Sequence, residues 1–314
     1  MKFPKIIILT LAATTAICAS ADTPQGQLFE YPNIPESIEN FTERSNYFIE
    51  NFWKRANLKS AFSHLSKLNE AFLVYANLMP HADATVVHRS IDNLIKEVNK
   101  NPINMLSLAE IAEGAFYADT ARIQCDECYM PFARAVAANG KIGKAERARF
   151  EYQAKALEHS QIGMTAPDIR WRTPEGTTGS ISELPQRAYV LLFVNDPDCD
   201  DCQLARTRLQ ADFNLNMLLD KGLITVVSIY PGEPTDEWKA QTAGYNKRWI
   251  VGATPDIDEM LDMRQTPTFY YLNPKHEILS KTLLVDGLLE AFASVRKKMI
   301  PDRFVSYRQN YTNT

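Results

Sequence analysis

Tyr189-Val-Leu-Leu-Phe-Val-Asn-Asp-Pro-Asp-Cys199-Asp-Asp-Cys202-Gln-Leu-Ala-Arg-Thr-Arg-Leu209 is the stretch on which the reading of this chain turns. A short apolar run of strand character gives way to a turn at Pro197, and Cys-x-x-Cys then opens a helical pattern. Thiols at i and i+3 lie close enough to bond, and the positive end of a helix favours a thiolate. This is the sequence of a redox site in which Cys199 attacks and Cys202 resolves. The motif alone could equally form half of a zinc site, so its surroundings have to decide.

The chain has 314 residues, 45% hydrophobic and 23% charged, which is enough for two globular domains. Its formal charge of -4 gives no footprint of a nucleic-acid binder. Residues 1–21 read as a secretory signal peptide: Lys2 and Lys5, an apolar run from Ile6, and the small-x-small Ala19-Ser20-Ala21. The run is too short to span a bilayer. Export to the periplasm or beyond is therefore expected. Lipid anchoring through Cys18 is the weaker alternative, because Ile17 before it is bulky for that processing. An oxidising compartment lets the other four cysteines pair, and they form two Cys-x-x-Cys motifs, Cys125/Cys128 and Cys199/Cys202.

A polar leader over 22–35 precedes an all-helical domain over 36–160. Ile34, Ile38, Phe41, Phe48 and Phe52 share one helical face, and Leu58, Phe62, Leu65, Phe72, Tyr75 and Met79 repeat at threes and fours up to Pro80. Further helices are predicted over 84–99, 103–117, 127–138 and 143–159, with Asn101-Pro102 as a break. Cys125-Asp126-Glu127-Cys128 falls at a helix start, either as a second redox pair that trades electrons with Cys199 and Cys202 or as a structural disulfide capping the helix.

From 161 to 300 the pattern changes to mixed α/β. Thr173-Pro-Glu-Gly176 marks a turn in a hairpin ahead of the strand at 189–194, and Leu223–Tyr230 reads as a buried parallel strand. A helix over 236–243, strands over 266–272 and 277–284, and a helix over 287–299 follow. The implied architecture is helices over a mixed sheet. A polar tail fills 301–314.

Gly163-x-x-Ala166-Pro167-Asp168, the strand leading to Cys199-x-x-Cys202, and Thr266-Pro267 ahead of a hairpin together resemble the thioredoxin superfamily, and within it the exported TlpA/ResA-like thiol-disulfide oxidoreductases. The resemblance implies a thioredoxin-like domain over 161–300, a cis Pro267 facing the active-site sulfurs, and a Thr266 backbone that pairs with a bound substrate chain. The whole layout is similar to a group of exported Bacteroidetes proteins whose N-terminal helical domain has no assigned function. The chain departs from the family where an aromatic usually precedes the first cysteine (Asp198 here), where a buried Glu follows the second cysteine by three (Ala205), and where a proline comes two residues later (Thr207).

Asp196, Asp198, Asp200 and Asp201 crowd Cys199 and are expected to tune its acidity. Like charges disfavour the thiolate, and the helix terminus favours it by about 0.3–1 kcal/mol, so the acids cancel much of the helix effect. Disfavouring the thiolate disfavours the reduced form. The expected potential is therefore closer to that of thioredoxin, about -270 mV, than to a strong oxidant's, about -120 mV. The expected function is reduction or exchange of protein disulfides, with protein thiols as partners, an unidentified membrane electron donor, a possible partner for the helical domain, and neither cofactor nor metal. The alternative is a binding or scaffold protein whose thioredoxin-like module is structural. A peroxidase reading would need Thr or Ser three residues before Cys199, where the chain has Asp196. A four-cysteine zinc site would have to join two separate domains.

Overall fold

The computed structural model describes residues 26–281 and 284–300. The expected signal peptide, Cys18 and the polar tail lie outside the described residues. The chain divides into two compact units, residues 1–86 and 87–314.

In the first unit, α1 (Phe41–Asn51) starts at Asn40, whose side chain accepts from the Glu43 N–H at 3.1 Å. The helical character expected from Ile34 thus begins later, and Phe41, expected inside, is exposed. The helix expected from Leu58 to Met79 is broken at Ser63-His64 into α2 (Leu58–Ala61) and α3 (Leu65–Leu78). The break re-phases the face: Leu68, Ala71, Phe72 and Tyr75 are buried, and Leu65 points to solvent. Phe29 and Tyr31 pack their rings on Phe52, with centroids 5.3 and 5.0 Å away, in an aromatic cluster with Phe48, Trp53 and Tyr75.

The division falls inside α4 (Ala84–Val98). In the second unit α5 (Pro102–Phe116) is capped by Asn101, whose side chain accepts from the N–H groups of Ile103 and Asn104, with Pro102 in the first turn where no N–H is missed. Next come α6 (Asp126–Ala138), which packs on α5, and α7 (Lys144–Glu158), which packs on α6. These three helices belong to the same compact unit as the sheet.

The sheet is built from β1 (Arg170–Arg172), β2 (Thr178–Ser180), β3 (Tyr189–Val194), β4 (Ile224–Tyr230), β5 (Ile250–Ala253), β6 (Thr268–Leu272) and β7 (Ile278–Lys281), in the order β2-β1-β5-β4-β3-β6-β7. Around it lie α8 (Asp200–Ala211), α9 (Phe213–Asp220), α10 (Asp236–Gln241) and α11 (Val285–Met299). β3 runs parallel to β4 and antiparallel to β6. It is apolar at every position because both its faces are covered. Leu191 and Phe193 meet Leu209, Leu215, Leu288 and Phe292 of α8, α9 and α11. Val190, Leu192 and Val194 meet Trp171, Ile257 and Tyr270 on the opposite face.

Two elements escape the sequence pattern. β5 is four residues containing a glycine, and α9 is a single short helix that follows α8 directly, restarted by Asp212 accepting from the Leu215 N–H at 2.6 Å. Gly252 is in β5 because Trp171 lies across it: a Cβ there would come within 2.6 Å of the Trp171 side chain. Gly252→Ala is expected to destabilise the unit by about 1–3 kcal/mol. A lower urea midpoint with an unchanged slope would show it.

Candidate functional site

β3 ends at Val194 in the middle of the sheet, and the segment from Asn195 to Asp198 carries the chain into α8. Cys199 itself caps that helix. Its Sγ accepts from the Cys202 N–H at 3.2 Å, and its own N–H donates to the Asp196 carbonyl at 3.2 Å. Both are free thiols, Cys199 half-buried and Cys202 only 1% exposed. Burial, reinforced by the hydrogen bond with Cys199, pushes the Cys202 thiol up to about 12. The Asp196 backbone works against this rise and its carboxylate adds to it. At neutral pH Cys202 is therefore protonated, and Cys199 is the sulfur within reach of a reagent. In reduced protein at pH 8, iodoacetamide is expected to label Cys199 at least about a hundredfold faster than Cys202, as mass spectrometry of the peptides would report. Comparable rates would contradict this ordering.

The four acids do not act alike. Asp196 is half-buried, and its Oδ1 accepts from the Asp198 N–H at 2.9 Å. Asp198 is exposed and accepts from Gln241 Nε2 at 2.7 Å. Asp200 and Asp201 stand exposed in the first turn of α8, where helix polarity suits them. Gln203 Nε2 donates to the Pro197 carbonyl at 2.7 Å and closes the loop onto the helix.

Below the loop is a buried polar group that sequence reading missed. Asn195 Nδ2 donates to Ser228 Oγ at 2.7 Å, and Tyr245 OH donates to Asn195 Oδ1 at 2.8 Å. Arg206 lies over the Tyr245 ring, 4.5 Å from its centroid. A polar Asn directly after a wholly apolar strand was the available clue. Ala205, at the position where the resembled family carries a buried Glu, is part of the apolar core.

Thr266-Pro267 is a cis peptide. Because Thr268 of β6 pairs with Val194 of β3, it lies at the end of β3 from which Cys199 follows. Asp201, Leu204, Arg208, Thr266, Pro267 and Leu284 line one groove of about 370 Å³ there. Leu204 and Leu284 are 60% and 72% exposed, an apolar rim that could receive an extended chain.

Cys125 and Cys128 are joined in a disulfide. They stand apart from the groove: α8 covers the face of Phe269, whereas Asp126 reaches the sheet through residues tied to Tyr270, on the other face. Among the described residues, no group of three or more His, Cys, Asp or Glu side chains is gathered as a metal would need. Asp126, Arg264, Asp262 and Lys281 form a buried ion network. Asp126 takes Arg264 Nη2 and Lys281 Nζ at 2.5 Å each, Arg264 also pairs with Asp262, and Lys281 Nζ is 3.4 Å from Asp262. Tyr117 OH donates to Asp262 at 2.8 Å, and Arg264 Nη1 donates to the Tyr117 carbonyl at 3.0 Å. The network fixes the segment from Asp262 to Gln265 that precedes the cis peptide. Nothing in the spacing of these residues announces it.

Residues 10–160 match the domain of unknown function DUF5106. No curated protein matches the sequence. A crystal structure of a thioredoxin-like protein from Bacteroides caccae, 23% identical, covers 85% of this chain and 99% of its own, with a TM-score of 0.74. The C-terminal domain of an uncharacterized protein from Bacteroides fragilis is 27% identical over 43% of this chain and 99% of its own, with a TM-score of 0.41. The thioredoxin domain of a thiol-disulfide oxidoreductase from Bacteroides vulgatus is 20% identical over 43% of this chain and 97% of its own, with a TM-score of 0.38. The chain thus has the thioredoxin-like fold, preceded by a helical region that matches DUF5106.

Proposed function

We propose that this is an exported thiol-disulfide oxidoreductase that reduces or exchanges protein disulfides. The Cys199 thiolate attacks a substrate disulfide and forms a mixed disulfide, releasing one substrate thiol. Cys202, losing its proton, then attacks Cys199 Sγ. The products are a substrate dithiol and a Cys199–Cys202 disulfide, and a membrane electron donor returns the two electrons that the substrate received. Thr266 and Pro267 hold the substrate backbone, and Asp196, Asp198, Asp200 and Asp201 keep the potential low. In this reading 161–300 does the chemistry and 36–160 serves a partner.

The observation that carries the proposal is the reach of Cys199: a half-buried sulfur that caps α8 three residues ahead of a buried, protonated second thiol, on the helix whose Asp201, Leu204 and Arg208 line the groove. The experiment is turnover of a protein disulfide such as insulin, with dithiothreitol as electron source, alongside a redox titration of the pair. Turnover above dithiothreitol alone, with half-reduction below about -200 mV, supports the proposal. Absence of turnover overturns it and leaves the scaffold reading.

A further inference from the structure

The Cys125/Cys128 pair repeats, feature for feature, the local build of Cys199/Cys202. Cys125 caps α6 as Cys199 caps α8, and in each pair the N–H of the second cysteine donates to the first sulfur at 3.2 Å. The first cysteine is half-buried and the second buried in both, with Cys128 6% exposed. In both, the next two residues are acidic. A disulfide that only stitched a helix start would need neither an accessible sulfur nor an opening. Cys125 has the opening: with Gln124, Glu127, Gln161, Arg264 and Lys281 it lines a cleft of about 210 Å³, large enough for a cysteine side chain and its flanking backbone. The buried ion network gives the cleft a rigid floor, so the disulfide can open while Asp126 stays clamped by Arg264 and Lys281.

We propose that Cys125–Cys128 is a second thiol-disulfide exchange site, which takes two electrons from a protein dithiol through Cys125. A partner thiolate attacks Cys125 Sγ, the Cys125–Cys128 bond breaks, and Cys128 leaves as a thiolate that takes up a proton. The partner's second thiolate attacks its own sulfur in the mixed disulfide and releases Cys125. The partner ends as a disulfide and this chain as a dithiol. Because the two Cys-x-x-Cys pairs lie on opposite faces of one sheet, the electrons come from a separate polypeptide and not from Cys199/Cys202 of the same chain.

The full chain carrying C199S and C202S, probed with dithiothreitol and read by alkylation and peptide mass spectrometry, tests this. The expected result is reversible opening of Cys125–Cys128 with the helical circular dichroism signal intact, and re-formation with oxidised dithiothreitol. A bond that opens only when urea unfolds the chain overturns the proposal. Adding C128S or C125S in the same background leaves one thiol of the pair. Cys125 is expected to react with dithionitrobenzoate at least about tenfold faster than Cys128, and equal or reversed rates overturn the assignment of Cys125. If those variants fail to fold, the first measurement decides alone. Since both cysteines of the first site are absent here, failure of this proposal and failure of the insulin assay are independent results.

Discussion

Cys199→Ser is expected to abolish insulin reduction, by on the order of a thousandfold or more, because a hydroxyl cannot form the mixed disulfide on which exchange depends. Cys202→Ser should fail differently. Its Cys199 still attacks, so the variant accumulates mixed disulfides with substrate that dithiothreitol releases. The asymmetry follows from position: Cys199 is the half-buried cap of α8 and Cys202 is enclosed and protonated. Assay of both variants beside the wild type, with non-reducing electrophoresis for the trapped species, separates the roles. Equal activity of Cys199→Ser and wild type would remove the nucleophile from the proposal. Trapping by Cys199→Ser instead of Cys202→Ser would exchange the two roles. Neither substitution should disturb the fold, since serine is close in size to cysteine and α8 keeps a favoured N-cap residue at 199.

Asp262→Ala is expected to be the most destabilising single change in the second unit, by about 3–5 kcal/mol. Asp262 is 2% exposed and receives Arg264, Lys281 and the Tyr117 hydroxyl. The side chains of Arg264 and Lys281 are themselves only 5% and 4% exposed. Alanine would leave these two buried cations facing Asp126. For a unit of this size, that corresponds to a fall in Tm of roughly 6–20 °C. Asp262→Asn, which keeps an acceptor for Tyr117, should fall between alanine and wild type. Burial works against the Asp262 charge, but Arg264 and Lys281 outweigh it and hold the carboxyl below its ordinary range. A depressed pKa contributes stability that is complete above the unfolded value, about 3.9, and is lost as pH falls further. Melting should therefore be level in this respect above about pH 4 and fall below it, less steeply in Asp262→Asn. A wild-type Tm that stays level down to about pH 2 would contradict the reading. The same network holds the segment ahead of Thr266-Pro267, so the alanine variant should also lose affinity for protein disulfides while its reaction with small thiols changes less.

The first of these predictions could be framed from residues alone, and the second could not. An apolar strand, a turn proline, cysteines at i and i+3 and Thr-Pro before a hairpin are local signals, legible because strands repeat at two residues and helices at 3.6. They sufficed for β3, β4, β6 and β7 of the sheet, for the ends of α5 to α7 and for the placing of both cysteine pairs at helix starts. They failed where the local signal was weak or broken: at Ser63-His64, which shifts the inward face from Leu65 to Leu68, and at β5, whose four residues carry no periodicity.

Tertiary structure alone decided which side chains meet. Tyr245 reaches Asn195 across 50 residues, Arg264 reaches Asp126 across 138, and Tyr117 reaches Asp262 across 145. The crossing of strands and the packing of helices on one face or the other bring such partners together, and no repeat in the sequence records those crossings. Sequence therefore determined that there is a dithiol at a helix start and which cysteine comes first. Packing determined that Cys202 is buried while Cys199 stays half-buried, that Thr266-Pro267 falls at the end of β3 from which Cys199 follows, and that Asp126 beside Cys125 is tied to the opposite face of the sheet, because burial, dielectric and pairing of charge are properties of the folded surroundings and not of the residue.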